Sequence, residues 1–275
     1  MNHTALITGA GSGLGKYLAL ECASRGFNLV LVSLPHSGLD LVAAEIAIKH
    51  NIHPYTIEAD FTEQSAPAYV FTKVKSAGIS VSILINNAGI GMENAFESLS
   101  VTFCSDLLNV NTHAVALLTR FFLDDLQHSN QAYILNVSSL ACFTPMPYKG
   151  IYSASKAFVY SFSRALAAEL KSTSVSVSTL CPGPIPTNEQ TRSRIQRHGI
   201  FARVSAIEAD KVARIAISEM LDLNPVIIPG RINRINKFLM SAVPKALQLY
   251  LLHAKYSTAV HLKANKIPSE VSSAA

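Results

Sequence analysis

The apolar residues of this chain fall into short runs separated by longer amphipathic stretches. Runs such as LVLV, SILI and AYILNV are apolar without alternation. That is the mark of strands covered on both faces, since a strand with one wet face alternates. The pattern predicts strands over Thr4–Thr8, Asn28–Ser33, Pro54–Ala59, Val81–Asn86, Ala132–Val137, Val175–Cys181 and Pro225–Ile228. Between them, apolar positions at helical spacing predict helices over Leu14–Arg25, Leu39–His50, Thr62–Ala77, Ser105–Gln127 and Tyr152–Lys171. Strict alternation of strand and helix is the layout of an α/β fold, a doubly wound parallel sheet of about seven strands with helices on both faces. No linker rich in Pro, Gly or Ser divides the chain and no repeat is visible, so a single domain over 1–268 is expected, followed by a tail at 269–275.

Composition narrows the function classes. Of 275 residues 49% are hydrophobic and 15% charged, against roughly a quarter charged in an ordinary soluble domain. Disorder is excluded, because it needs the opposite balance. Low charge implies either extensive burial or a covered surface. The charge is also uneven: residues 1–150 carry 7 basic and 11 acidic side chains, residues 151–275 carry 16 and 7. The basic half is not interleaved with stacking aromatics, so no nucleic-acid partner is expected. Cys22, Cys104, Cys142 and Cys181 lie far apart, with no CxxC or Cys/His spacing, so neither a disulfide framework nor a metal site is expected. No signal-peptide pattern precedes the first strand. Lys237, Pro244, Lys245 and Lys255 interrupt the apolar C-terminal stretch before it could span a bilayer. A reducing, cytoplasmic setting is the expectation.

The candidate chemistry begins where the first strand ends, in Thr8-Gly9-Ala10-Gly11-Ser12-Gly13-Leu14-Gly15, which opens directly into a helix. Glycines let a backbone approach a pyrophosphate, and the helix N-terminus supplies free N–H groups and the positive end of a dipole. Four glycines in seven residues are hard to attribute to a tight turn alone. Further on, Tyr152 and Lys156 stand four residues apart on one helix face. A phenol has a pKa near 10 and needs a nearby cation to work as an acid–base group at neutral pH. Tyr69 and Lys73 repeat that spacing, but on a helix far from any strand's carboxyl end, and read as a solvated face. Tyr148 has no lysine four residues on.

The spacing TGxxxGxG, with Asn86-Asn87-Ala88-Gly89 after the fourth strand, Asn136-Val137-Ser138-Ser139 after the fifth, the Tyr152/Lys156 pair and Cys181-Pro182-Gly183-Pro184-Ile185-Pro186-Thr187 after the sixth, resembles the short-chain dehydrogenase/reductase family. The motifs keep that family's order from residue 8 to 187. The resemblance implies a Rossmann-like fold and hydride transfer between a nicotinamide cofactor and a carbonyl or secondary alcohol. It implies Ser139 as the group that polarises the carbonyl, Tyr152 as general acid, Lys156 as the cation that lowers the phenol's pKa and holds the ribose, and Asn111 as support for a water linked to the lysine. The implied cofactor contacts are Gly9, Ser12, Gly13, Leu14 and Gly15 at the pyrophosphate and Asp60 with Phe61 at the adenine. They continue with Asn87, Ala88 and Gly89 along the cleft, and with Pro182, Gly183, Ile185 and Thr187 at the nicotinamide carboxamide. Taken alone, Asp60 also reads as a helix N-cap carboxylate and the proline-rich stretch as a rigid turn.

After the second strand the chain reads Ser33-Leu34-Pro35-His36, without the acid that holds the ribose hydroxyls of NAD. That favours NADP(H), with NAD(H) as the alternative. The arginine common in NADP-dependent members is replaced by Leu34, and Ser33 and His36 serve equally well as phosphate contacts or as plain loop residues. A substrate cover is implied over about 188–222. Its first part, 188–205, carries Arg192, Arg194, Arg197 and Arg203 against Glu189, either to greet an anionic carrier or only to stay solvated. The C-terminal helices expected over about 232–262 resemble those of the 17β-hydroxysteroid and 3-ketoacyl reductase-like members. Phe238, Leu239, Val243, Leu247, Leu251 and Leu252 suit a subunit contact in a homodimer or homotetramer first, and a bilayer surface second. The substrate expected is a small carbonyl or alcohol. The alternative function is a catalytically idle nucleotide-binding regulator on the same fold.

Overall fold

Seven strands, β1 (Thr4–Thr8), β2 (Asn28–Ser33), β3 (Tyr55–Glu58), β4 (Ile83–Asn86), β5 (Ala132–Val137), β6 (Val175–Leu180) and β7 (Val226–Ile227), pair in parallel in the order β3-β2-β1-β4-β5-β6-β7. They belong to a computed structural model that describes residues 3–197 and 199–264. The strand order reverses between β1 and β4, so the crevice at the carboxyl ends of these two strands is where a doubly wound sheet binds its ligand. Register is regular: Ile7 faces Leu31 on one side and Ile85 on the other.

The unalternating runs are explained by the two layers of helix. Ala5, Ile7, Leu31 and Ile85 point to one face, where α1 (Gly13–Ser24) and α2 (Leu39–His50) cover them. Leu6, Val30, Leu84 and Ile134 point to the other. There α3 (Ala66–Ser76) and α5 (Ala114–Gln127) close the core with Val70, Leu118 and Phe122, helped by α6 (Gly150–Glu169). Both faces of each central strand are therefore dry.

Three expectations are corrected. The helix expected over Ser105–Gln127 starts at Val101 as α4 (Val101–Leu108) and passes through a π turn, Asn109–His113, before α5. The wider turn carries Asn111, and such turns occur mostly where a side chain must be re-aimed. The helix expected from Thr62 starts at Ala66, with proline in its first turn. The cover expected over 188–222 ends early. Only α7 (Glu189–Arg197) and α8 (Ile200–Ser205) lie over the cleft, whereas Val212, Ala213, Ala216 and Ile217 of α9 (Ala209–Leu221) pack into the core beside α1. The chain then ends in two helices, α10 (Arg231–Ala242) and α11 (Lys245–Ala264), broken at Pro244 as expected. The tail at 269–275 lies outside the described residues. No described helix is long and apolar enough to cross a membrane. Among the described residues no group of three or more His, Cys, Asp or Glu could hold a metal.

Candidate active site

The glycine turn leaves β1 with Gly9 and Gly13 at φ +67° and +55°, where a side chain would be strained. Gly15 is required for closeness instead: a Cβ there would overlap the carbonyl oxygen of Gly9. Ser12 is the N-cap residue of α1, but its side chain makes no cap bond. The N–H groups of the first turn therefore remain available to an anion. Asn87 clamps the turn from β4: its Nδ2 donates to the carbonyl oxygens of Thr8 (2.8 Å) and Gly9 (3.3 Å). The Thr8 hydroxyl accepts from the N–H groups of Asn87 and Ala88, each at 3.0 Å. Thr187 faces the same turn, its methyl within reach of the space a Cβ on Gly13 would take.

Three implied contacts have buried side chains, Leu14 also lining the cavity. Phe61 is buried in one core and Leu14 in the other. Ser33 is turned inward, where its Oγ accepts from Gly11 N (3.3 Å) and from Ser37 Oγ (2.8 Å). Ser33 thus braces the glycine turn, and the exposed residues of its loop are Leu34, Pro35 and His36. Asp60 is exposed, with its carboxylate accepting from Thr62 N at 2.9 Å, the cap-like arrangement.

The other group of residues gathers at the carboxyl ends of β4, β5 and β6. Lys156 is buried, and its Nζ donates to the Val137 carbonyl at 3.0 Å. Burial pulls its pKa down to about 8. Asn111 is fully buried and fully bonded: Oδ1 accepts from Ile90 N (2.8 Å), while Nδ2 donates to Ile90 O (3.0 Å) and Ser155 Oγ (3.0 Å). That answers the cost of an amide in an apolar helix. Asn111 Oδ1 and Lys156 Nζ both lie 3.3 Å from the position a Cβ on Gly89 would occupy, so Gly89 has to be glycine-small for the two groups to converge. Tyr152 stands one turn before Lys156. Burial raises the pKa of its phenol, opposed by a hydrogen bond with Ser139 and by the charge of Arg194. Ser139 caps the short 3-10 turn Leu140–Phe143 through Ala141 N at 3.2 Å. Ser138 points away, its Oγ donating to the Lys156 carbonyl at 2.7 Å. Cys142 and Cys181 lie beneath, 3.9 Å apart. The hydrogen bond between them lowers the Cys142 pKa and raises that of Cys181.

Ser138, Ser139, Tyr152 and Lys156 line a cavity of about 630 Å³. Its walls are largely apolar, with Met92, Met146, Ile195, Met240 and Leu252 among them. Thr191 and Arg194 of α7 cover it from one side, and Asn233, Asn236 and Tyr256 of the last two helices from another. At its rim Lys149 pairs with Glu93 at 2.9 Å and lies over the Tyr256 ring, 4.7 Å from the centroid. Tyr148 stands outside the cavity at φ +62°, with its hydroxyl 3.5 Å from His253. The Tyr69/Lys73 pair lies on α3, with Tyr69 exposed.

Some contributors were not visible from spacing. Ser155 looks like an ordinary small polar residue in sequence, and Thr8 is only the first position of the glycine motif there; their partners reveal what each one holds. Asn136 carried a faint signal as an amide inside an apolar run. It accepts from Asn86 Nδ2 at 2.8 Å and donates to Ser163 at 2.9 Å, tying β4, β5 and α6 under the site. The approach of α10 and α11 to the pocket had no signal at all.

A family profile described as "short chain dehydrogenase" matches residues 3–198. Human 17-beta-hydroxysteroid dehydrogenase type 3 is 36% identical over 190 residues, 68% of this chain and 60% of that protein. Bovine very-long-chain 3-oxoacyl-CoA reductase is 36% identical over 193 residues, 68% of this chain and 61% of that one. The matched stretch thus spans about 60% of these relatives' length. A short-chain dehydrogenase from Sphingobium yanoikuyae, solved in complex with NADPH, superposes with a TM-score of 0.74 at 28% identity, covering 89% of this chain and 97% of its own. With the match running from β1 through β6 into the cover over the cleft, the chain belongs to the short-chain dehydrogenase family.

Proposed function

We propose that the protein is an oxidoreductase that moves a hydride between NADP(H) and the carbonyl or secondary alcohol of a small apolar substrate, a ketoacyl, steroid-like or other bulky ketone. The observation that carries this reading is the convergence of Lys156 and Asn111 beside Gly89, with Tyr152 and Ser139 next to them in the wall of a largely apolar cavity. The cleft fits a dinucleotide. A side chain at Gly15 would fill the turn against β1, and the uncapped first turn of α1 offers N–H groups to phosphate. Gly9, Ser12 and Gly13, with the backbone of Leu14, would hold the pyrophosphate. Asp60 with the Phe61 backbone would hold the adenine, Asn87 to Gly89 the middle of the dinucleotide, and Pro182, Gly183, Ile185 and Thr187 the nicotinamide end. When bound, the cofactor supplies or accepts the hydride.

The chain's own groups handle the oxygen. Ser139 donates to the substrate oxygen and steadies the charge it gains. The Tyr152 phenol, protonated at neutral pH like any phenol and held so by burial, gives up its proton to that oxygen. Lys156 is a buried cation one helical turn from the phenol, and Asn111 fixes the Ile90 backbone and Ser155 beside it. The largely apolar walls suit a substrate of low polarity.

Lys156 also sets a pH dependence. Its ammonium is intact below about 8 and lost above. The phenol titrates higher, so kcat/KM for reduction is expected to fall as pH rises through about 8. In Lys156→Arg, whose charge persists across that range, the break should vanish whatever activity remains. A break that stays near 8 in the variant would assign it to another group.

The central assay follows oxidation of NADPH and NADH with steroids, 3-ketoacyl thioesters and bulky aryl ketones. Turnover with any of them, faster with NADPH, supports the proposal. Cofactor binding without turnover on the whole panel would leave the idle regulator instead. The NADP(H) reading rests on the acid-free stretch after β2. Leu34 is half exposed there, so Leu34→Arg should lower the KM for NADPH about tenfold, the worth of one charge-assisted bond to a phosphate. The KM for NADH should stay unchanged. Equal effects on both cofactors would remove the 2′-phosphate from this loop.

A further inference from the structure

The C-terminal helices are amphipathic in the wrong sense for water. In α10 the residues turned toward the body include two amides: Asn233 is 1% exposed, and Asn236 lines the cavity beside Met240. The residues turned outward are Ile235, Phe238 and Leu239, exposed by 55%, 72% and 56%. The same inversion continues in α11, where Gln248 is 1% exposed while Tyr250 and Leu251 stand out at 72% and 52%. The buried amides have work to do there. Asn233 Nδ2 donates to the Ser205 and Pro229 carbonyls, anchoring α10 to the body, and Gln248 Nε2 donates to those of Met240 and Val243, fixing the turn that joins the two helices. The hairpin is thus held rigid with its apolar side out.

Charge says what medium that side meets. Residues 1–222 carry 16 basic and 17 acidic side chains, close to neutrality. The remaining 53 residues carry 7 basic and 1 acidic, and no acid lies between Asp222 and Glu270. The net +5 of the chain is therefore a property of this segment. Arg231, Arg234, Lys237 and Lys245 are cations of the described helices; Arg234 also pairs with Glu219 at 3.5 Å, Lys237 lies over the Phe143 ring, 5.2 Å from the centroid, and Lys245 donates to the Phe143 carbonyl at 3.0 Å, so the positive charge belongs to the segment as a whole. A second copy docked on the same face about a twofold axis would set these cations against themselves. An anionic lipid surface takes both features at once: apolar side chains at the headgroup boundary and cations at the phosphates.

We propose that the α10–α11 hairpin docks the protein on the surface of an anionic bilayer, without crossing it. Met240, Leu252 and Tyr256 of the same two helices line the cavity from inside. The hairpin therefore stands between the lipid and the pocket, and an apolar substrate dissolved in the membrane would have a short path to it.

Flotation of the full chain with vesicles tests this. Phosphatidylcholine vesicles with roughly one third phosphatidylserine should carry about tenfold more protein than phosphatidylcholine alone. The difference should collapse in roughly 1 M salt, where charges are screened beyond about 3 Å. The double variant Phe238→Asp/Leu251→Asp, altered only at exposed side chains outside the cavity, should lose flotation and keep its thermal stability and its turnover of a water-soluble ketone. Sedimentation of both proteins without lipid decides the competing occupant. Equal flotation with both vesicle types, flotation unaffected by the double variant, or a dimer that the variant splits while neither protein floats would each overturn the proposal.

Discussion

Tyr152→Phe is expected to lower kcat for ketone reduction by about three orders of magnitude, within the range general acid catalysis supplies. The substitution removes one oxygen from a partly buried ring, so the cavity keeps its shape and NADPH affinity, read by fluorescence titration, should change little. The split is what matters. Loss of kcat with cofactor binding intact places the phenol in the proton transfer. Near wild-type turnover would place the proton donor elsewhere, and Ser139 or a water would have to take the role. Tyr148→Phe is the control: its hydroxyl lies outside the cavity beside His253, and the change should leave turnover within about twofold, as for a surface substitution.

Gly15→Val has the other large expected effect, and it acts through the backbone. The new side chain would overlap the carbonyl oxygen of Gly9 and the amide of Asn87. The Gly9 carbonyl cannot rotate away as a side chain could, and the Asn87 amide already bonds the end of β1. Separating helix from strand should cost about 3 kcal/mol, the upper end for overpacking, and lower Tm by about 6–12 °C. Because the same turn presents the N–H groups of α1, NADPH affinity should fall in parallel. Unchanged melting with normal cofactor binding would mean that the turn opens freely and that its glycines serve something other than close approach.

Both expectations start from residues legible in sequence, and most of the fold was legible for the same reason. Strands buried on both faces must be apolar without alternation, and helices covering them must be amphipathic. The seven strands accordingly sit where the runs are, trimmed by a residue or two at six of the ends, as in Tyr55–Glu58 within the expected Pro54–Ala59. The local chemistry of the glycine turn was readable because phosphate binding needs small residues in sequence next to a helix start. The Tyr152/Lys156 pair was readable because a helix brings residues four apart together.

Other parts depended on contacts between distant segments. The π turn at Asn109–His113 has no signature in propensity. It becomes understandable only once Asn111 is seen to bond the Ile90 backbone and Ser155 from elsewhere in the chain. Ser33 read as a ligand contact or a loop residue until its bonds to Gly11 and Ser37 showed it turned inward. The stretch after residue 208 read as cover over the pocket, whereas its stripe Val212, Ala213, Ala216, Ile217 has a deeper place against α1.

The low overall charge and the basic second half also separate along this line. Sequence alone determined the parallel sheet, the order of the site motifs and the excess of cations near the end, because each is a property of periodicity, spacing or count. Only the tertiary structure decided which groups converge beside Gly89, where the substrate cover stops, and that α10 and α11 bury Asn233 and Gln248 while Ile235, Phe238, Leu239, Tyr250 and Leu251 stay exposed. The physical reason is that a face acquires its inside and outside only from what packs against it, and that is fixed by segments far away in the chain.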